Sequence, residues 1–189
     1  MRLLFVALFL ILQTAPVPVD AREVAGVNIP EQVKVANEAS PLQLNGAGIR
    51  EKFFMDIYVG ALYLPKKADS VSRVLDMPGA KRVVMHFLYK QVKKSKLTNG
   101  WTDGFQDNNT KAQFKALKPR LDQFNTLFRT VKRGDVIRLD YVPAKGTQVW
   151  VNDTLAGTVS GQDFYQALLK VWLGDKPADA KLKTAMLGR

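Results

Sequence analysis

Arg50 and Tyr58 are the side chains of this sequence whose types and spacing most directly provide for chemistry. An arginine keeps its charge when partly buried and presents a planar fork that matches a carboxylate, and a phenol adds one further donor. Such a pair holds an acidic head group. The two are eight positions apart, an even spacing that puts them on one face of a continuous strand. A tight turn or bulge near Phe53 to Asp56 would instead fold the two segments side by side, and facing residues would still converge. Either geometry allows one pocket. The competing role for Arg50 is structural, its charge answered by Glu51, Asp56 or another acid.

Other chemistries are poorly provided for. His86 is the only histidine and lies within an apolar strand, so it reads as a structural imidazole. A zinc site needs several ligands, and neither a His-x-x-His spacing nor a cysteine is available, so no metal and no cofactor are expected. A serine–histidine triad would have to pass through this one histidine, and no Gly-x-Ser-x-Gly turn presents a serine. The lack of cysteine removes thiolate chemistry and a disulfide scaffold together. No catalytic residue is assigned.

Periodicity gives the elements that must position the pair. Ile57 to Leu64 sets Ile57, Val59, Ala61 and Tyr63 against Tyr58, Gly60, Leu62 and Leu64, apolar on both sides, which predicts a central strand covered on each face. Leu42 and Leu44 start a strand ahead of Gly46 and Gly48. These glycines either make a turn, allow a bulge, or let another backbone or a ligand come close. Arg22 to Ala39 reads as an extended lead-in with one short strand at Val33 to Val35. Asp69 to Met77 reads as a short helix ended by Pro78-Gly79, and Arg82 to Tyr89 as an interior strand.

Helical spacing runs from Ser95 to Asn108 and again from Thr110 to about Thr130, where Phe114, Leu117, Leu121 and Phe124 begin an apolar stripe. Pro119 should kink that helix or split it in two. Asp135 to Tyr141, Thr147 to Val151 and Thr154 to Val159 predict an antiparallel meander, with a hairpin turn at Asn152-Asp153. A helix ending at Gly174 is opened by Ser160 and Asp163 as a shortened capping box, and Asp179 to Leu187 forms a last short one. This order argues α+β, an antiparallel sheet with helices packed on one face. A long apolar slot between the two layers would then take a hydrocarbon tail, with Arg50 and Tyr58 at its polar end.

Two of these segments carry a resemblance. Gly-Ala-Gly-Ile-Arg, ending at Arg50, and Tyr-Val-Gly-Ala-Leu-Tyr-Leu, from Tyr58, are similar to the paired Gly-x-Gly-x-Arg and Gly-x-Tyr-Leu segments of the chalcone isomerase fold, in its bacterial, exported chalcone isomerase-like branch. Lys132-Arg133-Gly134-Asp135 leading to Gly146-Thr147 and Val151-Asn152, then Phe164 to Gly174, agree in order, so the resemblance covers Val27 to Gly188. It implies that family's open-faced β-sandwich. In chalcone isomerases the arginine of the first segment helps to hold the substrate phenolate. In related plant fatty-acid-binding proteins an arginine and a tyrosine of these segments hold the carboxylate, a pattern that Arg50 and Tyr58 resemble closely.

The threonine that an isomerase would place near Tyr58 is absent. The family's catalytic tyrosine, its asparagine partner and the serine or threonine of the last helix fall near Lys93, Gly100 and Val171, with Tyr89, Thr98 and Asn99 as nearby substitutes. The resemblance therefore implies a non-catalytic binding protein for a fatty acid or similar amphipathic anion. Its alternative is a chalcone isomerase-like intramolecular lyase acting on a phenolic substrate.

Arg2 precedes an apolar run from Leu3 to Leu12, and Val19-Asp20-Ala21 offers short residues to a signal peptidase. Residues 1–21 thus read as a secretory signal peptide, the run being well short of the ~20 residues of a membrane span, and residues 22–189 as a single domain. A periplasmic or secreted protein is expected. The formal net charge of +11 survives processing, because Arg2 and Asp20 cancel. Outside the cytoplasm nucleic acid is not the expected partner. The charge suits an anionic membrane surface, an acidic polysaccharide or a small anionic ligand, or it is a solvated face where Lys90, Lys93, Lys94 and Lys96 crowd one loop.

Overall fold

A computed structural model of the chain describes residues 21–35 and 40–189. The leader, Leu3 to Leu12, lies outside the described residues. The chain begins with a hairpin of β1 (Ala21–Val24) and β2 (Val27–Pro30), followed by β3 (Gln32–Val33), β4 (Leu42–Lys52) and β5 (Met55–Leu64). Helix α1 (Val71–Asp76) leads to β6 (Lys81–Phe87), the short β7 (Gln91–Val92), and the helices α2 (Lys94–Asp107) and α3 (Lys111–Thr126). The short β8 (Val131–Lys132) pairs with β7, and a meander of β9 (Val136–Val142), β10 (Gly146–Val151) and β11 (Thr154–Val159) precedes α4 (Gln162–Leu173) and α5 (Ala180–Met186).

Seven strands form one antiparallel sheet in the order β11-β10-β9-β6-β5-β4-β3. The sheet buries both faces, as the two-sided apolar alternation of β5 requires. Leu62, Leu64, Val83, Met85, Ile137 and Leu139 face the helices. Val59, Ala61, Tyr63 and Val84 face the other way, against Ile29, Val35 and Leu42. The curled antiparallel sheet with helices packed on it is the expected α+β architecture.

The glycines of β4 are explained by α5. A Cβ on Gly46 would collide with the carbonyl oxygen of Ala185, and one on Gly48 would lie 2.6 Å from the Ala185 side chain. They are strand residues that admit another backbone, with a register shift between Leu44 and Gly46, and not a turn. Asn45, at that irregularity, donates to the carbonyls of Ala68 and Met186 at 2.8 and 2.7 Å and accepts from the Ala68 N–H at 2.7 Å.

Three local expectations are corrected. The lead-in is a hairpin, turned at Ala25-Gly26 with both residues at positive φ. Pro119 lies inside an unbroken α3, on its exposed side, where water can take up the carbonyl that proline leaves without an amide partner. Thr110 and Gln113 start that helix with a reciprocal cap. Ser160 does not cap α4. Gly161, at φ +100°, is the cap residue, and Asp163 instead takes a two-pronged ion pair from Arg120 at 2.7 and 2.6 Å.

Candidate functional site

The chain brings Arg50 and Tyr58 together through a hairpin, the second of the two geometries foreseen. Phe53 and Phe54 form a two-residue turn between Lys52 and Met55, and Arg50 and Tyr58 become cross-strand partners on β4 and β5. Partners share a face. The guanidinium carbon of Arg50 lies 5.6 Å from the centre of the Tyr58 ring.

Tyr58 is buried, its ring against Phe87 at 5.6 Å. The indole N–H of Trp172 on α4 donates to its phenol oxygen at 2.8 Å, which leaves the hydroxyl proton available to donate. Burial raises the phenol's pKa, against the opposing effects of Arg50 and the Trp172 bond, so the group stays protonated at neutral pH.

Arg50 makes no ion pair among the described residues, and its Nε is buried without a hydrogen-bond partner among them. The acids that a structural role would require are engaged elsewhere or remain in solvent. Glu51 lies 3.6 Å from Lys181, and Asp56 is exposed. Trp101 on α2 also buries its indole N–H without a partner among the described residues, its ring wedged against Phe124, Phe128 and Trp172 at 5.5–5.6 Å.

These groups line one space. An inner cavity of about 50 Å³ is bounded by Arg50, Tyr58, Met85, Phe87, Trp101 and Val171, with no carboxylate or imidazole in its lining. An outer vestibule of about 410 Å³ has Lys52, Phe53, Tyr89, Lys93, Asn99 and Asp103 on its walls. Arg50, Ile57, Val92, Lys96 and Gly100 line both, so the two spaces adjoin along these residues. The inner part falls far below the ~300 Å³ at which small-molecule pockets usually begin. The long apolar slot expected between the layers is therefore filled, chiefly by Trp101, Phe105, Phe124, Phe164 and Trp172, and the roomy part of the site lies outside the core.

Gly100 sits in the middle of α2 with open space where a Cβ would stand. Alanine would fit there and favour the helix by roughly 0.5–1 kcal/mol, so helix stability does not account for this glycine. Lys93, Gly100 and Val171, the positions that fall near the isomerase's catalytic groups, all line the inner or outer space, as do Tyr89 and Asn99. Thr98 is turned into its own helix, donating to the carbonyl of Lys94 at 3.1 Å. His86 is on the opposite face of the sheet, where burial lowers its pKa.

Sequence reasoning missed Trp101, Trp172 and Lys96 as site residues. The two tryptophans lay on apolar helical stripes, and an indole N–H gives no sign in a hydropathy pattern of whether it is partnered. What the site assembles is a set of donors: a guanidinium, a phenol held by one indole, and a second indole without an acceptor among the described residues.

A family model described as chalcone isomerase-like matches residues 21–188. Among solved structures, a fatty-acid binding protein of Arabidopsis thaliana superposes with a TM-score of 0.65 at 16% sequence identity, covering 86% of this chain and 92% of its own. At that identity the likeness establishes the fold. Comparison with curated proteins gives no match.

Proposed function

The chain belongs to the chalcone isomerase-like family, and from that premise we propose that it is an exported, non-catalytic binding protein for a fatty acid or similar amphipathic anion. The acidic head group enters the inner cavity and accepts from Arg50, from the Tyr58 hydroxyl and from Trp101, while the tail lies in the outer vestibule. The observation that carries this is that Arg50 and Trp101, whose buried Nε and Nε1 N–H donors have no hydrogen-bond partner among the described residues, both line one cavity in whose described lining no acid stands. Buried donors without acceptors are costly, and a carboxylate with several lone pairs answers them together. A cavity of about 50 Å³ suits a head group, since roughly 10–15 Å³ of such space already admits one water. The structural neighbour, a fatty-acid binding protein of the same fold, supports the ligand class. Export is supported by the apolar run behind Arg2.

The test is palmitate titrated into the mature chain, residues 22–189, by calorimetry, with native mass spectrometry of gently purified protein for any acid carried along. Arg50→Ala should weaken binding about ten- to hundredfold, the range for losing a charged hydrogen bond. Equal binding by wild type and Arg50→Ala would refute the anchor. Turnover of a chalcone by a protein that takes no palmitate would favour the lyase instead.

A further inference from the structure

The β4–β5 turn is built against its own stability. Phe53 and Phe54 have φ of +50° and +62°, and positive φ at both central residues of a two-residue hairpin turn is the geometry that favours Asn-Gly. Bulky side chains rarely adopt that conformation. The rings also gain nothing from burial, with Phe53 79% and Phe54 105% exposed and Met55 beside them at 38%. Phenylalanine here strains the turn and leaves most of its ring in water.

The surroundings indicate what these rings meet. Lys52 lies over the Phe53 ring at 5.7 Å, Lys93 and Lys96 line the vestibule with Phe53, and Lys90 and Lys94 are exposed on the same segment as these two. The nearby acids are fewer: Glu51 is held by Lys181, and Asp56 and Asp103 remain. Protruding aromatic rings beside several lysines match the interface of an anionic bilayer, where the rings enter the acyl boundary and the ammonium groups meet phosphates. Phe53 also forms part of the vestibule wall, so a bilayer that receives the tip lies against the mouth of the site.

We propose that the Phe53-Phe54 tip and the Lys90 to Lys96 segment form a peripheral docking surface for an anionic lipid bilayer. This surface holds whether or not the cavity takes a fatty acid. No helix among the described residues is long and apolar enough to cross a membrane, and the contact needs none.

The decisive variant is Phe53→Asn/Phe54→Gly, which gives the turn the residues its geometry prefers. The mature chain is floated with vesicles of mixed phosphatidylglycerol and phosphatidylcholine, and with phosphatidylcholine alone. Wild type should float with the anionic vesicles and much less with the neutral ones, and salt should weaken the binding. The double variant should lose at least about tenfold in partition while melting at or above the wild-type temperature, which separates a lost contact from a damaged fold. Lys93→Glu/Lys96→Glu should reduce partition into anionic vesicles only. A wild-type protein that ignores anionic vesicles, or a double variant that floats as well as wild type, overturns the proposal. So does a wild-type dimer that the double variant abolishes without any vesicle binding, because the rings would then serve a second copy of the chain.

Discussion

The indole N–H of Trp172 on α4 reaches the phenol oxygen of Tyr58 on β5 at 2.8 Å, joining residues 114 positions apart. One bond thus fixes how the helix layer sits on the sheet at this point and which way the phenol's own proton is left to act.

Tyr58→Phe should destabilise the protein by about 1–3 kcal/mol, because it strands the buried Trp172 N–H without an acceptor. Arg50→Ala should cost less than about 1 kcal/mol, since no acid among the described residues loses its partner. Urea unfolding of the two variants distinguishes them, and a larger loss for Arg50→Ala would mean that the arginine holds the fold together.

Gly100→Ala should raise stability by about 0.5–1 kcal/mol in thermal unfolding, the helix gaining a better residue with nothing to clash against. Gly100→Leu should keep the fold and weaken palmitate binding, because the larger side chain takes up space where cavity and vestibule adjoin.

Much of this architecture was legible in the sequence. The meander from Asp135 to Val159 announced itself by alternation and by Asn152-Asp153, and α4 by its apolar face, because both burial patterns are local. The Arg50–Tyr58 convergence was legible only as a choice between two geometries, since Phe-Phe is not a sequence that signals a tight turn. Ala25-Gly26 hid the first hairpin for the same reason. The glycines of β4 could not be interpreted without α5, which comes more than a hundred residues later. The filled slot was illegible too: a stripe of Phe and Trp reads alike whether it lines a cavity or occupies it.

Stability should fall with pH through the sole histidine. Burial depresses the His86 pKa in the fold below its ordinary value of about 6.5, so the unfolded chain binds the proton more readily. The His86 contribution is complete above about pH 6.5 and is lost as pH falls through the lower, folded value. Urea unfolding between about pH 7.5 and 5 should show this slope, and His86→Gln should flatten it. The imidazole resonance, unique in the spectrum, should titrate below the ordinary range.

Arg82 and Asp140 face each other across β6 and β9 as a two-pronged pair at 2.5 and 2.7 Å, with side chains only 11% and 4% exposed. Asp140→Ala should cost about 3–5 kcal/mol, because it leaves a guanidinium buried and unanswered. Replacing both residues with apolar ones of similar size should recover most of that loss in chemical denaturation.

Asp179 ties α5 to the strand of the anchor. One of its oxygens caps α5 through the Leu182 N–H at 2.9 Å, and the other accepts the Glu51 N–H at 3.0 Å, next door to Arg50. The glycine surface of that strand is roofed by a helix more than a hundred residues further along, so the arginine's own strand stays open on that side until α5 docks. A chain clipped before Ala180 would leave bare backbone at the foot of the arginine.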